Sequence, residues 1–175
     1  MKNRTVNVEI VEISAEDLPA IVDCLRKEWG SEQVVTRGKM LDASRLPGFV
    51  ALDGTNLLGL ITFHVQGLEC EIVTLNAVLE NLGIGTQLID QVKKTARQNG
   101  WMKIWLITTN DNVDALRFYQ KRGFVLVALH RDAIAFSRKL KPSIPLIGLH
   151  GILIRDEIEL EYRVESESLK MGEPS

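Results

Sequence analysis

The sequence predicts a mixed α/β fold. Two patterns carry the prediction. The first half holds short apolar segments of period two, separated by turn residues. The second half opens with a glycine-flanked amphipathic helix that runs into a continuous apolar strand. Strand, crossover helix and twice-buried strand together make a parallel β-α-β unit. The 175 residues, 45% hydrophobic and 25% charged, suit one globular core.

The elements follow in chain order. "TVNVEIVEI" sets Val6, Val8 and Ile10 against polar neighbours and reads as a strand. "SAEDLPAIVDCLRKEWG" places Leu18, Ile21, Val22, Leu25 and Trp29 on one helical face. Ser14 or Asp17 caps it, with Pro19 favouring Asp17, and Gly30 ends it. Ser31 to Arg45 is mixed and polar and reads as a loop or a short helix. "GFVAL" and "NLLGLITFHV", joined by "DGTN", form a hairpin, and "ECEIVTLNAV" extends the meander. The next helix repeats Ile84, Leu88, Val92 and Ala96 every fourth residue and stops at Asn99-Gly100. "KIWLIT" is apolar throughout, as in a strand buried on both faces. "NVDALRFYQKR" is a short helix closed by Gly123, with Phe124 packing back. "FVLVALH" is a strand, "DAIAFSRKL" one or two helical turns, and "KPSIPLIG" a proline-bounded loop. "GILIRDEIELEYRV" is the last strand, although "RDEIELE" also fits a helix. Residues 1–165 therefore read as a single domain and 166–175 as a polar, disordered tail.

Composition narrows the function. A net charge of −2 gives no basic surface for nucleic acid or anionic membrane. Apolar runs are far shorter than a membrane span, and "MKNRTVNVEI" has no signal core, so a cytoplasmic protein is expected. Cys24 and Cys70 lack metal-like spacing and read as reduced, buried thiols. Three lone histidines make no metal site, so no metal is expected.

The stretch "VLENLGIGTQLIDQVKKTARQNG" poses the functional question, because Gly83 and Gly85 stand one residue apart at a helix start. The first turn of a helix presents unsatisfied N–H donors and a partial positive charge, and glycine lets an anion approach closely. With the Thr86 hydroxyl in the same turn, this is a phosphate cradle. The other reading is a tight strand-to-helix turn with no ligand. A dinucleotide fingerprint fails because position 88 is Leu88, and a P-loop fails because no Gly-Lys-Ser/Thr follows.

One helix and one buried strand later comes "NVDALRFYQKRGF", with the pattern N-x-x-A-x-x-F-Y-x-x-x-G-F. Taken with "CEIVTLNAV" and "ENLGIGTQLI", it makes the chain resemble the GNAT superfamily of acetyl-CoA-dependent N-acetyltransferases from about Val6 to His130. The resemblance implies a mostly antiparallel sheet with one parallel crossover and helices on both faces. It implies acetyl-CoA as cosubstrate, an amine as acceptor, and direct attack in a ternary complex. The pantetheine arm would pair with Leu75, Asn76, Ala77 and Val78, and the pyrophosphate would rest on Leu82, Gly83, Ile84, Gly85 and Thr86. Asn112 would contact the arm or cap its helix. Glu80 stands where the family usually has Gln or Arg, an unfavourable charge beside a pyrophosphate.

The chemistry asks for a base or a water chain that takes a proton from the amine, an acid for the leaving sulfur, and a donor to the oxyanion. The resemblance puts the acid on Tyr119 and the base on Glu71. By alternation Glu71 shares a face with Val73, Leu75 and Ala77, where desolvation would raise its pKa. Facing solvent at the wet end of the strand is the other reading. Tyr119 also fits a plain core role. Cys70 points to the opposite face, and no cysteine sits where a covalent acyl carrier is implied. Trp29, Arg37, His64 and His130 are acceptor-side candidates by position. The long insert at 131–151 is open to two readings, a lid or a contact in a homodimer. The rival functions are a non-catalytic acyl-CoA-binding module on the same fold and a structural domain whose glycines only turn the chain.

Overall fold

The computed structural model describes residues 6–78 and 82–165. Glu80 and the expected disordered tail from Ser166 lie outside the described residues. The elements are β1 Glu9–Glu12, α1 Leu18–Trp29, β2 Gln33–Thr36, β3 Lys39–Asp42, β4 Gly48–Asp53, β5 Asn56–Gln66 and β6 Glu69–Ala77. They continue with α2 Ile84–Gln98, β7 Lys103–Thr109, α3 Val113–Gln120, β8 Val125–His130, α4 Ala133–Leu140 and β9 Glu157–Arg163. Seven strands form one sheet in the order β1-β4-β5-β6-β7-β9-β8. Each neighbouring pair is antiparallel except β6 and β7, the parallel pair joined through α2. The last strand, β9, is inserted between β7 and β8.

The helices cover both faces, because each buries a different apolar stripe. Ile84, Leu88, Ile89, Val92 and Ala96 of α2 pack with Tyr119 of α3 against Cys70, Ile72, Leu106 and Leu160. Ile21 and Leu25 of α1 pack on Val50, Leu60 and Val73 on the other side. Both cysteines are free and buried. No helix among the described residues is long and apolar enough to cross a membrane.

Two readings of the sequence need correcting, and in a third place the strand reading holds over its helical alternative. The segment Ser31–Arg45 is not a loop or helix. It holds the β2–β3 hairpin, turned at Arg37 and Gly38 with positive φ, before a short 3-10 turn at Ala43–Arg45. Alternation of Val34 and Thr36, both buried, was the available signal. The start of α1 divides the capping work. Asp17 leads into the helix, but its carboxylate turns back to the backbone N–H and hydroxyl of Ser14, closing a 3-10 turn. The segment "RDEIELE" is extended, because β9 is held on both edges by β7 and β8.

Candidate active site

A slipped register on β6 builds the site. Thr62 pairs with Thr74 but Phe63 pairs with Ile72, so Val73 is a bulge with no partner on β5. Parallel pairing with β7 ends at Ile72 and Leu106, although both strands continue. Beyond that point β6 and β7 diverge into a V.

The bulge also decides which groups face the V. The Val78 N–H donates to Leu58 O of β5, and Asn76 pairs with Leu60 in the same phase. Alternation then turns the backbone groups of Leu75 and Ala77 into the V. On the other wall, the Asn110 N–H bonds to Asp156 O, which turns Ile107 and Thr109 toward the same opening. The side chain of Asn76 is engaged elsewhere, accepting from Trp29 Nε1 at 2.9 Å. Of the four residues expected along a pantetheine arm, Leu75 and Ala77 thus offer backbone groups that no described strand pairs. Asn76 and Val78 direct their N–H groups to β5.

The bulge corrects the expected face of Glu71 too. Glu71 and Val73 share the α1 side, but Leu75 packs with the α2 core, so alternation fails beyond Val73. Cys70 does point away from Glu71, into the α2 core.

The two glycines have separate physical reasons. Gly83 has φ 68°, a left-handed turn that starts α2 and that other residues adopt at a cost of about 1 kcal/mol. Gly85 is in the first turn, where an added Cβ would lie 3.1 Å from the Phe118 ring. The Thr86 hydroxyl accepts from the guanidinium of Arg122, at 3.1 Å from Nε and also from Nη2. Arg122 lies over the Phe118 ring at 3.4 Å and donates to Phe118 O. Its partial burial lowers its pKa from the ordinary arginine value without removing the charge. The first turn of α2 therefore carries a fixed cation beside its free N–H groups. Sequence reasoning missed Arg122, since nothing local in "YQKRGF" shows a guanidinium folding back on another helix.

Glu71 is buried at one end of this region. Thr36 Oγ1 donates to its Oε1 at 2.7 Å. Desolvation raises its pKa above the usual carboxylate range, opposed by that hydrogen bond and by the nearby charges of His64, Arg37 and Lys39. Glu71 lines a cavity of about 1080 Å³ beneath the β2–β3 hairpin, with His64, Trp105 and Glu161. Arg37 stacks over Trp105 at 5.3 Å and lies 4.0 Å from Glu159, which also meets His130 at 2.8 Å.

Tyr119 sits across the sheet from Glu71, its ring against Phe118 and Phe124 at 5.2 and 5.5 Å. Burial pushes its phenol well above the ordinary tyrosine range, so the hydroxyl stays protonated. The closing turn of α3 brings the Phe124 N–H to Tyr119 O at 3.2 Å, as its Gly123-Phe124 signal implies. Asn112 caps α3, its Oδ1 accepting from Ala115 N. A second cleft of about 490 Å³ opens at the V, with Val73 and Ile107 at its inner end. Thr36 lines both cavities. Among the described residues, no group of three or more His, Cys, Asp or Glu could hold a metal ion.

A parallel strand pair splayed at a bulge beside a glycine-turned helix start is a family-level feature, and comparison with known proteins gives the family. The model of the Acetyltransferase (GNAT) family matches residues 9–124. The chain belongs to the GNAT acetyltransferase family. It is 42% identical over 139 residues to the Bacillus subtilis protein YdhI, covering 79% of this chain and 87% of that one. Its fold is that of solved GNAT structures. A Bacillus subtilis acetyltransferase in complex with CoA superposes with a TM-score of 0.63 at 22% identity, over 92% of this chain and 100% of the other. A GNAT acetyltransferase from Elizabethkingia anophelis with acetyl-CoA bound gives 0.63 at 21% identity, over 91% and 99%. The family match ends at Phe124, so the insert and β9, which complete the second cleft, lie beyond it.

Proposed function

We propose that the protein is an N-acetyltransferase that moves an acetyl group from acetyl-CoA to a primary amine in a ternary complex. The V between β6 and β7 carries this reading. Among the described residues it leaves the backbone groups of Leu75, Ala77 and Ile107 without a neighbouring strand beside the start of α2, whereas the Thr109 carbonyl accepts from the Asn112 N–H. Unpaired backbone groups in a cleft call for a ligand. A pantetheine arm is a strand-like ligand with amide groups of its own, and the GNAT structures above bind coenzyme A or acetyl-CoA. The pyrophosphate would rest on Leu82, Gly83, Ile84, Gly85 and Thr86, with Arg122 supplying charge. Asn112 shapes the V where α3 begins.

When bound, acetyl-CoA supplies the thioester that the amine attacks. Glu71, with a raised pKa and a hydroxyl contact to Thr36, accepts the proton of the amine through that hydroxyl, because Thr36 lines the cleft and Glu71 stands behind it. Tyr119, held protonated on the α2 side, donates to the departing sulfur. Acid and base thus approach the reacting atoms from opposite faces of the sheet.

The test is thermal melting with and without acetyl-CoA, followed by a free-thiol assay over a panel of amines. A ligand that binds only the folded state raises the melting temperature by mass action. A rise accompanied by amine-dependent thiol release supports the reading. A rise with no thiol release for any amine would point to an acyl-CoA-binding module. No shift at millimolar acetyl-CoA would refute both.

A further inference from the structure

The second cleft holds a carboxylate that the proposed chemistry does not use. Glu157, at the start of β9, is 2% exposed and lines the cleft. Its Oε1 accepts from Ser137 Oγ of α4 at 3.0 Å. Among the described residues, no donor reaches Oε2 and no cation pairs with the group. The neighbouring carboxylates of β9 are placed differently. Glu159 meets His130 and Arg37, and Glu161 meets Lys103. A buried carboxylate with one neutral partner is an incomplete ion pair.

The walls of the cleft set the other half of the ligand. Trp29, Val34, Ile107, Ile134, Ile144 and Ile154 make the apolar part of the lining, while Glu28, the other carboxylate on it, is exposed and lies 3.8 Å from Lys27. Lys141 also faces the cleft, but its ammonium is turned to the carbonyls of Trp29 and Gln33, at 2.8 Å each. These bonds tie the end of α4 to the end of α1 and the start of β2, roofing the cleft. Val73 and Ile107, at the splay, form its inner end. An acceptor lying here reaches the V from the side opposite α2.

We propose that the cleft takes a primary amine carried on an apolar body, with its ammonium docked on Glu157. The inference rests on the acetyltransferase reading and names the acceptor class for it. The apolar part of the lining rewards burial of an alkyl or aryl group and penalises a second charge buried against it. Glu157 gives the ammonium its counter-charge before a proton leaves it for Thr36 and Glu71.

The experiment uses the full chain and two probes, 2-phenylethylamine and spermidine. Binding of each to the protein saturated with coenzyme A is measured by calorimetry, and turnover by thiol release from acetyl-CoA. The expected result is that 2-phenylethylamine binds and turns over, with spermidine at least ten-fold poorer in kcat/KM. Glu157→Gln keeps the Ser137 contact and should raise the KM for 2-phenylethylamine by roughly ten- to a hundred-fold, the range for losing a hydrogen bond to a charged group. The KM for acetyl-CoA should not move. Ile144→Asp, at the half-exposed rim, should shift preference toward spermidine. If acetyl-CoA raises the melting temperature but 2-phenylethylamine neither binds at millimolar concentration nor turns over, the inference is wrong and the family reading stands. Preference for spermidine in the unmodified protein overturns it equally. Absence of acetyl-CoA binding removes both.

Discussion

Thr36 Oγ1 donates to Glu71 Oε1 at 2.7 Å, and this contact joins the β2–β3 hairpin to the floor of the sheet. It also makes Glu71 a carboxylate whose ionisation is opposed by burial and supported by one hydroxyl. A base must be ionised to act, so activity should fall as pH drops through the raised pKa. Glu71→Gln should lower kcat by about 10²-fold or more and abolish that acid limb. The stability sign is opposite. A carboxyl whose pKa is raised on folding adds stability below its unfolded value of 4.5, and that stability is lost as pH rises through the folded value. Glu71→Gln should therefore melt above the native chain at pH 8, with the difference reversing toward pH 4. A pH profile of kcat and two melting series check both statements.

Thr36→Val isolates the hydroxyl. Its hydrogen bond lowers the pKa of Glu71, so removing it should move the acid limb to higher pH. Valine matches threonine in shape, and Thr36 is buried, so the fold should survive with a loss of about 1–3 kcal/mol from the unsatisfied carboxylate. Because the proton of the amine passes through this hydroxyl, kcat should fall as well, and an unchanged kcat would remove Thr36, and with it the proton route, from the mechanism.

Tyr119→Phe keeps the ring contacts with Phe118 and Phe124 and removes only the hydroxyl. The melting temperature should stay close to that of the native chain while kcat falls by about 10²-fold. Because the phenol titrates well above its usual range, Tyr119 should impose no alkaline limb below pH 10. Unchanged kcat in this variant would reduce Tyr119 to a core residue. Tyr119→Ala would answer a different question, since it opens a cavity costing about 3–5 kcal/mol.

The order of elements was legible because periodicity and turn chemistry are local. Ile84, Leu88, Val92 and Ala96 announce α2, and Gly123-Phe124 announces the end of α3. The β2–β3 hairpin was hidden because four-residue strands turned at Arg37-Gly38 leave too little alternation to outweigh a polar composition. The bulge at Val73 was invisible for a deeper reason. Nothing in "CEIVTLNAV" marks where register slips; the slip belongs to the pairing with β5. It decides that Leu75 and Ala77 face the V and that Glu71 does not share their side. Arg122 and Glu157 were missed likewise, because each acquires its meaning from a residue distant in sequence, Thr86 or Ser137. Motif reasoning located the V, whereas its chemistry depends on tertiary contacts.

Substituting the two glycines separates turn from close approach. Gly83→Ala forces alanine to φ 68° with no atom of the described residues within 4 Å of the new Cβ, so it should cost about 1 kcal/mol in stability. Its effect on acetyl-CoA affinity should follow only from the shifted loop. Gly85→Ala brings a methyl to 3.1 Å from the Phe118 ring, under the guanidinium of Arg122. It should weaken acetyl-CoA binding more than Gly83→Ala relative to its loss of stability. Melting temperatures and calorimetric affinities for the two variants give that ratio.

Arg122→Met tests the charge at the start of α2. Methionine keeps an unbranched apolar stem over the Phe118 ring but cannot bond to Thr86 Oγ1. The stability loss should be about 1 kcal/mol, from one cation–π contact and hydrogen bonds at a half-exposed site. Acetyl-CoA affinity should fall by about three- to ten-fold at low salt, the size of one charge near a helix end. The decisive readout is the salt series. Screening shortens the reach of Arg122 toward a phosphate, so native affinity should decline between 0.01 and 0.5 M salt more steeply than that of the variant. Parallel salt slopes would mean that Arg122 serves only to hold α3 against α2.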